Sequence, residues 1–208
     1  VARLGSFCRI AGWYFLEDSA LKSRRLHFVL ALGLSAFASL CAQAQSGPFG
    51  NNLAPDVTSP QAIIDRMLEL ANVKPGETVY DLGCGQGRVL ITAAEQFHAN
   101  AVGIEITDRL FRRATDNVAL HGLQNRIKVI HGDLLEADLS NADVVTIYLM
   151  TNSNESLRPR LEKYLKPGAR VVSHEYKMPG WKPTQVEETQ ANSHAHLIYL
   201  YVMPPVKQ

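Results

Sequence analysis

Asp81, Gly83, Gly85 and Gly87 fall on alternate positions, with Leu82, Cys84 and Gln86 between them. Glycines at this spacing let a backbone turn sharply and come close to a ligand. A carboxylate at the mouth of such a turn can brace the loop, or a ligand cation through water. The stretch follows a strand-like run, Glu77 to Asp81, and opens a helix-like one, Arg88 to Glu95. That order aims the free N–H groups of a helix N-terminus at whatever the turn holds. A plain tight turn between strand and helix is the alternative.

Two further acidic positions narrow the ligand. Glu105 ends the second strand-like run, Ala101-Val102-Gly103-Ile104-Glu105. In a doubly wound sheet this position lies beside the glycine turn, where a carboxylate can accept both hydroxyl protons of a ribose. Asp133 follows the third run in Ile130-His131-Gly132-Asp133 and could hold an adenine amino group, with Leu134 packing on the ring. The other reading of Asp133 is a helix or turn cap. Asp81, Gly83, Cys84, Gly85, Gly87, Glu105, Asp133 and Leu134 together form a candidate nucleoside-cofactor site, and S-adenosylmethionine fits the D-x-G-x-G-x-G spacing best. The fourth strand-like run leads into Tyr148, Thr151 and Asn152, whose polar atoms could orient an amine or serve as core or cap groups.

These residues need a scaffold that brings strand ends together. Strand-like runs at 77–82, 100–106, 126–131, 143–149 and 169–175 alternate with helix-like runs at 87–97, 108–121 and 155–165. Alternation of this kind predicts an α/β fold with a Rossmann-like, doubly wound, mostly parallel sheet. Ser59 and Pro60 predict an N-cap and first helical residue ahead of Ile63, Ile64, Met67, Leu68 and Ala71. Thr107 and Gly122 predict the ends of the 108–121 helix. Pro159 predicts that regular helix in the 155–165 run starts near Arg158. Two more strand-like runs, 185–190 and 195–203, joined by Ala191-Asn192-Ser193-His194, predict a C-terminal antiparallel hairpin and a seven-stranded sheet.

The chain has 208 residues, 46% of them apolar and 20% charged, which suits one folded domain. The 21 basic residues against 20 acidic ones give a net charge of +1, with no long single-sign run, so no nucleic-acid partner is expected. Cys8, Cys41 and Cys84 have neither metal-ligand nor disulfide spacing. His194 and His196 could chelate from one strand face, but no acidic or thiol partner lies nearby in sequence, so no metal is expected.

The first 44 residues read differently. Lys22, Arg24 and Arg25 precede an apolar run from Leu26 to Leu40, and Ala42-Gln43-Ala44 supplies a small-x-small cleavage site. The run is short for a membrane span, so contact with a membrane is expected only in transit. Export to a periplasmic compartment is predicted if the segment is cleaved, with a cytoplasmic location as the alternative. Residues 1–20 precede the basic region, and an over-extended translation start with the true one near Leu21 is expected. Residues 45–58 read as linker and 59–208 as the functional domain.

From Val57 to Val202 the chain resembles class I methyltransferases. More narrowly, it resembles the archaeal broad-specificity protein-lysine methyltransferase and its mitochondrial relatives. The matching stretches run from Val79 to Arg88, Ala101 to Ile106, Tyr148 to Asn152, Leu157 to Leu161, Leu165 to Gly168, Arg170 to Glu175 and Gly180 to Pro183. Gln86 departs from the acidic residue common in the turn, and Pro55 to Pro60 lacks a tyrosine that relatives often carry there. The Asn/Asp-Pro-Pro-aromatic element of exocyclic-amine and glutamine methyltransferases is also absent after Leu149. The resemblance implies methyl transfer from S-adenosylmethionine to a lysine presented by a protein substrate. It makes Tyr148, Asn152, His174 and Glu175 the candidates for aligning the amine or relaying its proton. His174 equally reads as a satisfied histidine at a strand end. A small-molecule methyltransferase and a non-catalytic S-adenosylmethionine-binding protein are the alternative functions.

Overall fold

The computed structural model describes Leu53 and residues 57–208. The expected basic-apolar segment, its cleavage site and most of the 45–58 linker lie outside the described residues. Among the described residues no helix is long and apolar enough to cross a membrane.

In chain order the elements are α1 (Gln61–Leu70), β1 (Thr78–Leu82), α2 (Arg88–Gln96), β2 (Asn100–Glu105), α3 (Asp108–Leu120), β3 (Ile127–His131), β4 (Val144–Ile147), α4 (Thr151–Tyr164) and β5 (Arg170–His174). Then follow β6 (Trp181–Lys182), β7 (Gln185–Ala191), β8 (His194–Val202) and β9 (Val206–Lys207). Seven strands form one sheet in the order β3-β2-β1-β4-β5-β8-β7. The first five run parallel, and β8 pairs antiparallel with both β5 and β7. This is the mostly parallel, doubly wound sheet with a C-terminal hairpin that the alternation predicts. Strand order reverses between β1 and β4, which opens a crevice at the carboxyl edge of the sheet.

Side chains alternate between the two faces of each strand, and the core divides accordingly. Tyr80, Leu82, Val145, Ile147 and Val171 pack with Leu157 and Leu161 of α4. Val79, Val144 and Val172 pack on the opposite face with Ile63, Ile64, Met67 and Leu68 of α1. By the same alternation Asp81, Thr146 and His174 share the α1 face.

Several local expectations shift. Pro60, not Ser59, caps α1, because its extended backbone (ψ 149°) lets its carbonyl accept the N–H groups of Ile63 and Ile64 at 3.0 and 3.1 Å. The Ser59 hydroxyl is thereby free for a distant partner. Helix α4 starts at Thr151, well before the predicted Arg158, and carries Pro159 inside it. Pro159 is exposed, so its ring and the carbonyl it leaves unpaired fall on the solvent side, while Ser153, Asn154, Leu157 and Leu161 anchor the buried face. The hairpin turn is two residues, Asn192 and Ser193, both with positive φ (50° and 65°) as a tight turn between twisted strands requires. The small β6–β9 pair has no counterpart among the predicted elements.

The glycine turn is seated on β2. Gly83 and Cys84 both donate their backbone N–H to the Ile104 carbonyl, at 2.9 and 3.0 Å. Cys84 then turns its side chain inward over Gly103. A Cβ at Gly103 would lie 2.5 Å from Leu90 Cδ1 and 2.6 Å from Cys84 Sγ. Both neighbours are buried, so neither can swing away into solvent. Gly103→Ala is expected to destabilise the fold by about 1–3 kcal/mol through overpacking. Adding Cys84→Ala should recover part of that loss in denaturant unfolding; an unchanged midpoint in the single variant would contradict this seating.

Candidate active site

A cleft opens at the carboxyl ends of β1, β2 and β4. Its floor is the glycine turn, where Gly83, Gly85 and Gly87 all hold positive φ (86°, 55° and 82°). Among the described residues, chain neighbours aside, no atom lies within 4 Å of where a Cβ on Gly85 would sit, so the absent side chain leaves open space at the turn. Gly87 is also the N-cap of α2 and has no side chain with which to cap the helix's first N–H groups.

Glu105 is buried, and its carboxylate joins two elements. Oε2 accepts the Gly85 N–H and Oε1 accepts the Thr107 N–H, each at 2.8 Å. One side chain thus fixes both the turn and the entrance to α3. Each oxygen still has a lone pair beyond the one it spends on the backbone. Thr107 does sit at the N-cap of α3, although its side chain makes no capping bond.

Asp81 stands at the end of β1, opposite Thr146 of β4 in register, and accepts the Thr146 hydroxyl at 2.7 Å. Burial pushes its carboxyl up from an ordinary 3.8 to about 7; the Thr146 hydrogen bond opposes the shift and the Glu105 carboxylate adds to it. A carboxyl poised in this way favours a cation beside it.

The rim comes from residues that spacing alone did not single out. Val57, Thr58 and Ser59 line the cleft, with Met67 of α1 and Leu110 of α3. Arg88 anchors that segment by donating to the Ser59 carbonyl and to Gln61 Oε1, both at 2.9 Å. The helix-start signal at Ser59-Pro60 was visible in the sequence, but not its position across the cleft. Asp133 and Leu134 do not line the cleft. Asp133 Oδ1 accepts the Leu135 N–H at 2.8 Å, the turn-cap arrangement, and Leu134 is buried in the core beneath α4.

The other end of the cleft is aromatic. Tyr148 lines it, and its ring lies 4.2 Å from that of His174, centre to centre, and 6.3 Å from that of Tyr176. His174 is fully buried and its Nδ1 meets the Ser59 hydroxyl at 2.8 Å. Burial holds its pKa down at about 4; Glu175 raises it and His196 lowers it further, leaving the ring neutral at physiological pH. The Tyr148 phenol is pushed above its ordinary value by burial, with the charges of Glu175 and Tyr176 adding to it. Glu175 takes a left-handed backbone (φ 64°) and places its carboxylate 2.6 Å from His196 Nδ1.

Asn152 is exposed on the first turn of α4, where its carbonyl accepts the Ser156 hydroxyl, and it does not line the cleft. The buried asparagine is Asn154, which donates to the Tyr176 and Lys177 carbonyls at 3.3 Å and so holds the loop that carries Tyr176. In sum, one end of the cleft can bind a ligand bearing hydroxyl donors and a cation. The other end is an aromatic wall that can receive an apolar stem ending in an amine.

Residues 81–185 match the family model described as the ANTKMT methyltransferase domain. The chain is 47% identical to a protein-lysine N-methyltransferase of Saccharolobus islandicus over 150 residues, covering 72% of this chain and 93% of that protein. It is 29% identical to the mouse adenine nucleotide translocase lysine N-methyltransferase over 132 residues, which is 57% of that protein's length. Among solved structures, an RNA methyltransferase from Salinibacter ruber in complex with S-adenosyl-L-homocysteine superposes with a TM-score of 0.68 at 40% identity. That match spans 71% of this chain and 94% of the other.

Asp81 supplies a test that needs no ligand. Between its unfolded value of 3.8 and its folded value of about 7, the folded chain holds a proton that the unfolded chain has lost. Its burial therefore costs stability progressively as pH rises across that window, on the order of a few kcal/mol in full. Asp81→Asn should gain on the wild type from about pH 4 to about pH 7 in denaturant unfolding, and stay level above. A constant difference between the two proteins across that range would contradict the buried-carboxyl account.

Proposed function

We propose, for a chain that belongs to the ANTKMT methyltransferase-domain family and is an S-adenosylmethionine-dependent methyltransferase, that the methyl acceptor is the side-chain amine of a lysine presented by another protein. The observation that carries this reading is the 47% identity to the archaeal lysine enzyme across nearly that enzyme's whole length. The aromatic end of the cleft supports it in physical terms.

Bound S-adenosylmethionine supplies an electrophilic methyl group on a cationic sulfur. The residues present fit such a group. Glu105 keeps lone pairs for ribose hydroxyls while it braces the turn, Asp81 favours a neighbouring cation, and the open space at Gly85 admits the ligand against the backbone. The chain's remaining task is to deliver a neutral amine in line with the methyl. Taking the proton from a lysine of pKa about 10.4 at pH 7 costs roughly 4.6 kcal/mol. The half-buried rings of Tyr148 and Tyr176, with His174 buried behind them, lower that cost, because a partly desolvated ammonium is disfavoured. The Tyr148 hydroxyl is the cleft-lining polar group suited to align the amine, and Glu175 stands behind it as a carboxylate. Much of the rate then comes from geometry. No planar-amide clamp of the Pro-Pro type follows β4, since Leu149-Met150-Thr151 occupies those positions.

The purified chain, incubated with methyl-labelled cofactor, mixed cellular protein and RNA, should yield methyllysine on acid hydrolysis of the protein fraction. Label confined to RNA or to small molecules would overturn the lysine reading. Tyr148→Phe should lower turnover on the order of ten- to hundredfold while cofactor affinity holds; an equal loss of both would remove Tyr148 from the acceptor side. We further infer export, supported by the basic-apolar-small order of residues 22–44. Fractionation of a tagged full-length chain should give a shortened periplasmic product, and a full-length cytosolic one would overturn that inference.

A further inference from the structure

Two imidazoles and a carboxylate converge on one point behind Tyr148. His174 Nε2 lies 3.1 Å from His196 Nδ1, His196 Nδ1 lies 2.6 Å from Glu175 Oε1, and His174 Nε2 lies 3.4 Å from the same oxygen. We propose that these three atoms form a binding site for a divalent transition-metal ion of the zinc class.

The backbone is shaped for this convergence. His174 and Glu175 are neighbours at the end of β5, and in an extended strand their side chains would point to opposite faces. Glu175 instead adopts φ 64°, a left-handed conformation that strains a non-glycine residue and persists only where its surroundings enforce it. The Glu175 N–H bonds the Leu197 carbonyl at 2.7 Å, and the Tyr176 N–H bonds the His174 carbonyl at 2.8 Å. The bend brings the Glu175 carboxylate to the His174 face. Antiparallel pairing of β5 with β8 sets His174 opposite Ile198, and His196, two residues away on the same face, completes the group.

Hydrogen bonds serve the three contacts together poorly. If His174 Nε2 and His196 Nδ1 both donate to Glu175 Oε1, their protons face each other across 3.1 Å; if only one carries a proton, the other sets its lone pair against the carboxylate. One dication serves all three atoms. Ligand atoms about 2.0–2.1 Å from a tetrahedral ion stand roughly 3.3 Å apart. The three sides observed bracket that value, with the Glu175–His196 side needing to open. Two nitrogen donors and one oxygen favour zinc-class ions over magnesium or calcium, which take oxygen. Ser59 stands at the other ring nitrogen of His174, the outer-shell position from which a metal-bound imidazole is oriented. Three protein ligands leave a position for water or a substrate atom. The site touches the cleft through two of its lining residues, Ser59 and Tyr148.

The full-length chain, stripped with chelator and titrated with Zn²⁺ by calorimetry, should bind one ion per chain, and Co²⁺ should give the visible bands of a four- or five-coordinate ion. Glu175→Gln and His196→Ala should each weaken binding at least tenfold. His194→Ala, whose ring is exposed and bonds the Asn192 carbonyl, should leave it unchanged. X-ray absorption on the zinc-loaded wild type guards against variants that misfold, and should find two imidazole nitrogens at about 2.0–2.1 Å. Absence of a stoichiometric ion, binding that survives both triad variants, loss with His194→Ala, or oxygen-only ligation would each overturn the proposal. None of these readouts needs cofactor or lysine substrate, so they succeed or fail independently of the methyl-acceptor assignment.

Discussion

The two N–H groups that Glu105 accepts, from Gly85 and Thr107, tie the glycine turn to the entrance of α3, a join that Asn117 of α3 reinforces by donating to the Gln86 carbonyl at 3.0 Å. A buried carboxylate needs such partners, because leaving it unpaired away from water would cost several kcal/mol. Meeting that need fixes the height of the glycine turn above the sheet and the direction in which α3 leaves β2. The turn is held from below as well, by the shared bonds of Gly83 and Cys84 to Ile104 and by the absence of a side chain at Gly103. The cleft's acidic end is thus built before any ligand enters, and its second carboxyl, Asp81, is tuned partly by the first.

From that fixed end the cleft runs across β1 and β4 to a wall of different chemistry. Thr146 bonds Asp81 on the α1 face of the sheet, and Tyr148, two residues on in the same chain, lines the cleft against His174. Arg88 closes the arrangement from the opposite side: it belongs to the helix that the glycine turn starts, and it grips the carbonyl of Ser59. Ser59 in turn bonds His174. A continuous set of contacts therefore links the turn, the rim and the aromatic wall.

What could be read from the sequence follows from how local each signal is. The glycine turn was legible because positive φ at three alternate positions has few chemical solutions, and the sheet was legible because parallel strands and covering helices alternate along the chain. The histidine and serine contacts were not. Ser59 and His174 lie 115 positions apart, and the partnership of Glu175 with His196 depends on the β5–β8 register. Asn152 and Asn154 show how a boundary error propagates. With α4 beginning at Thr151 and not near Arg158, the helical phase turns Asn152 to solvent and Asn154 to the core. The two-residue strands β6 and β9 are too short to carry any periodicity. Asp133 kept two readings in the sequence; its Oδ1 makes the turn cap, and the cap makes no use of Oδ2.

The central claim is that a carboxyl raised to about 7 by burial receives the cationic part of the cofactor. Calorimetry of S-adenosylmethionine binding between about pH 5 and 8, in buffers of different ionisation enthalpy, addresses it most directly. Affinity should strengthen as pH rises toward 7, with a proton released on binding below that point, and Asp81→Asn should abolish both effects. Binding by the wild type that is independent of pH and releases no proton would contradict the account.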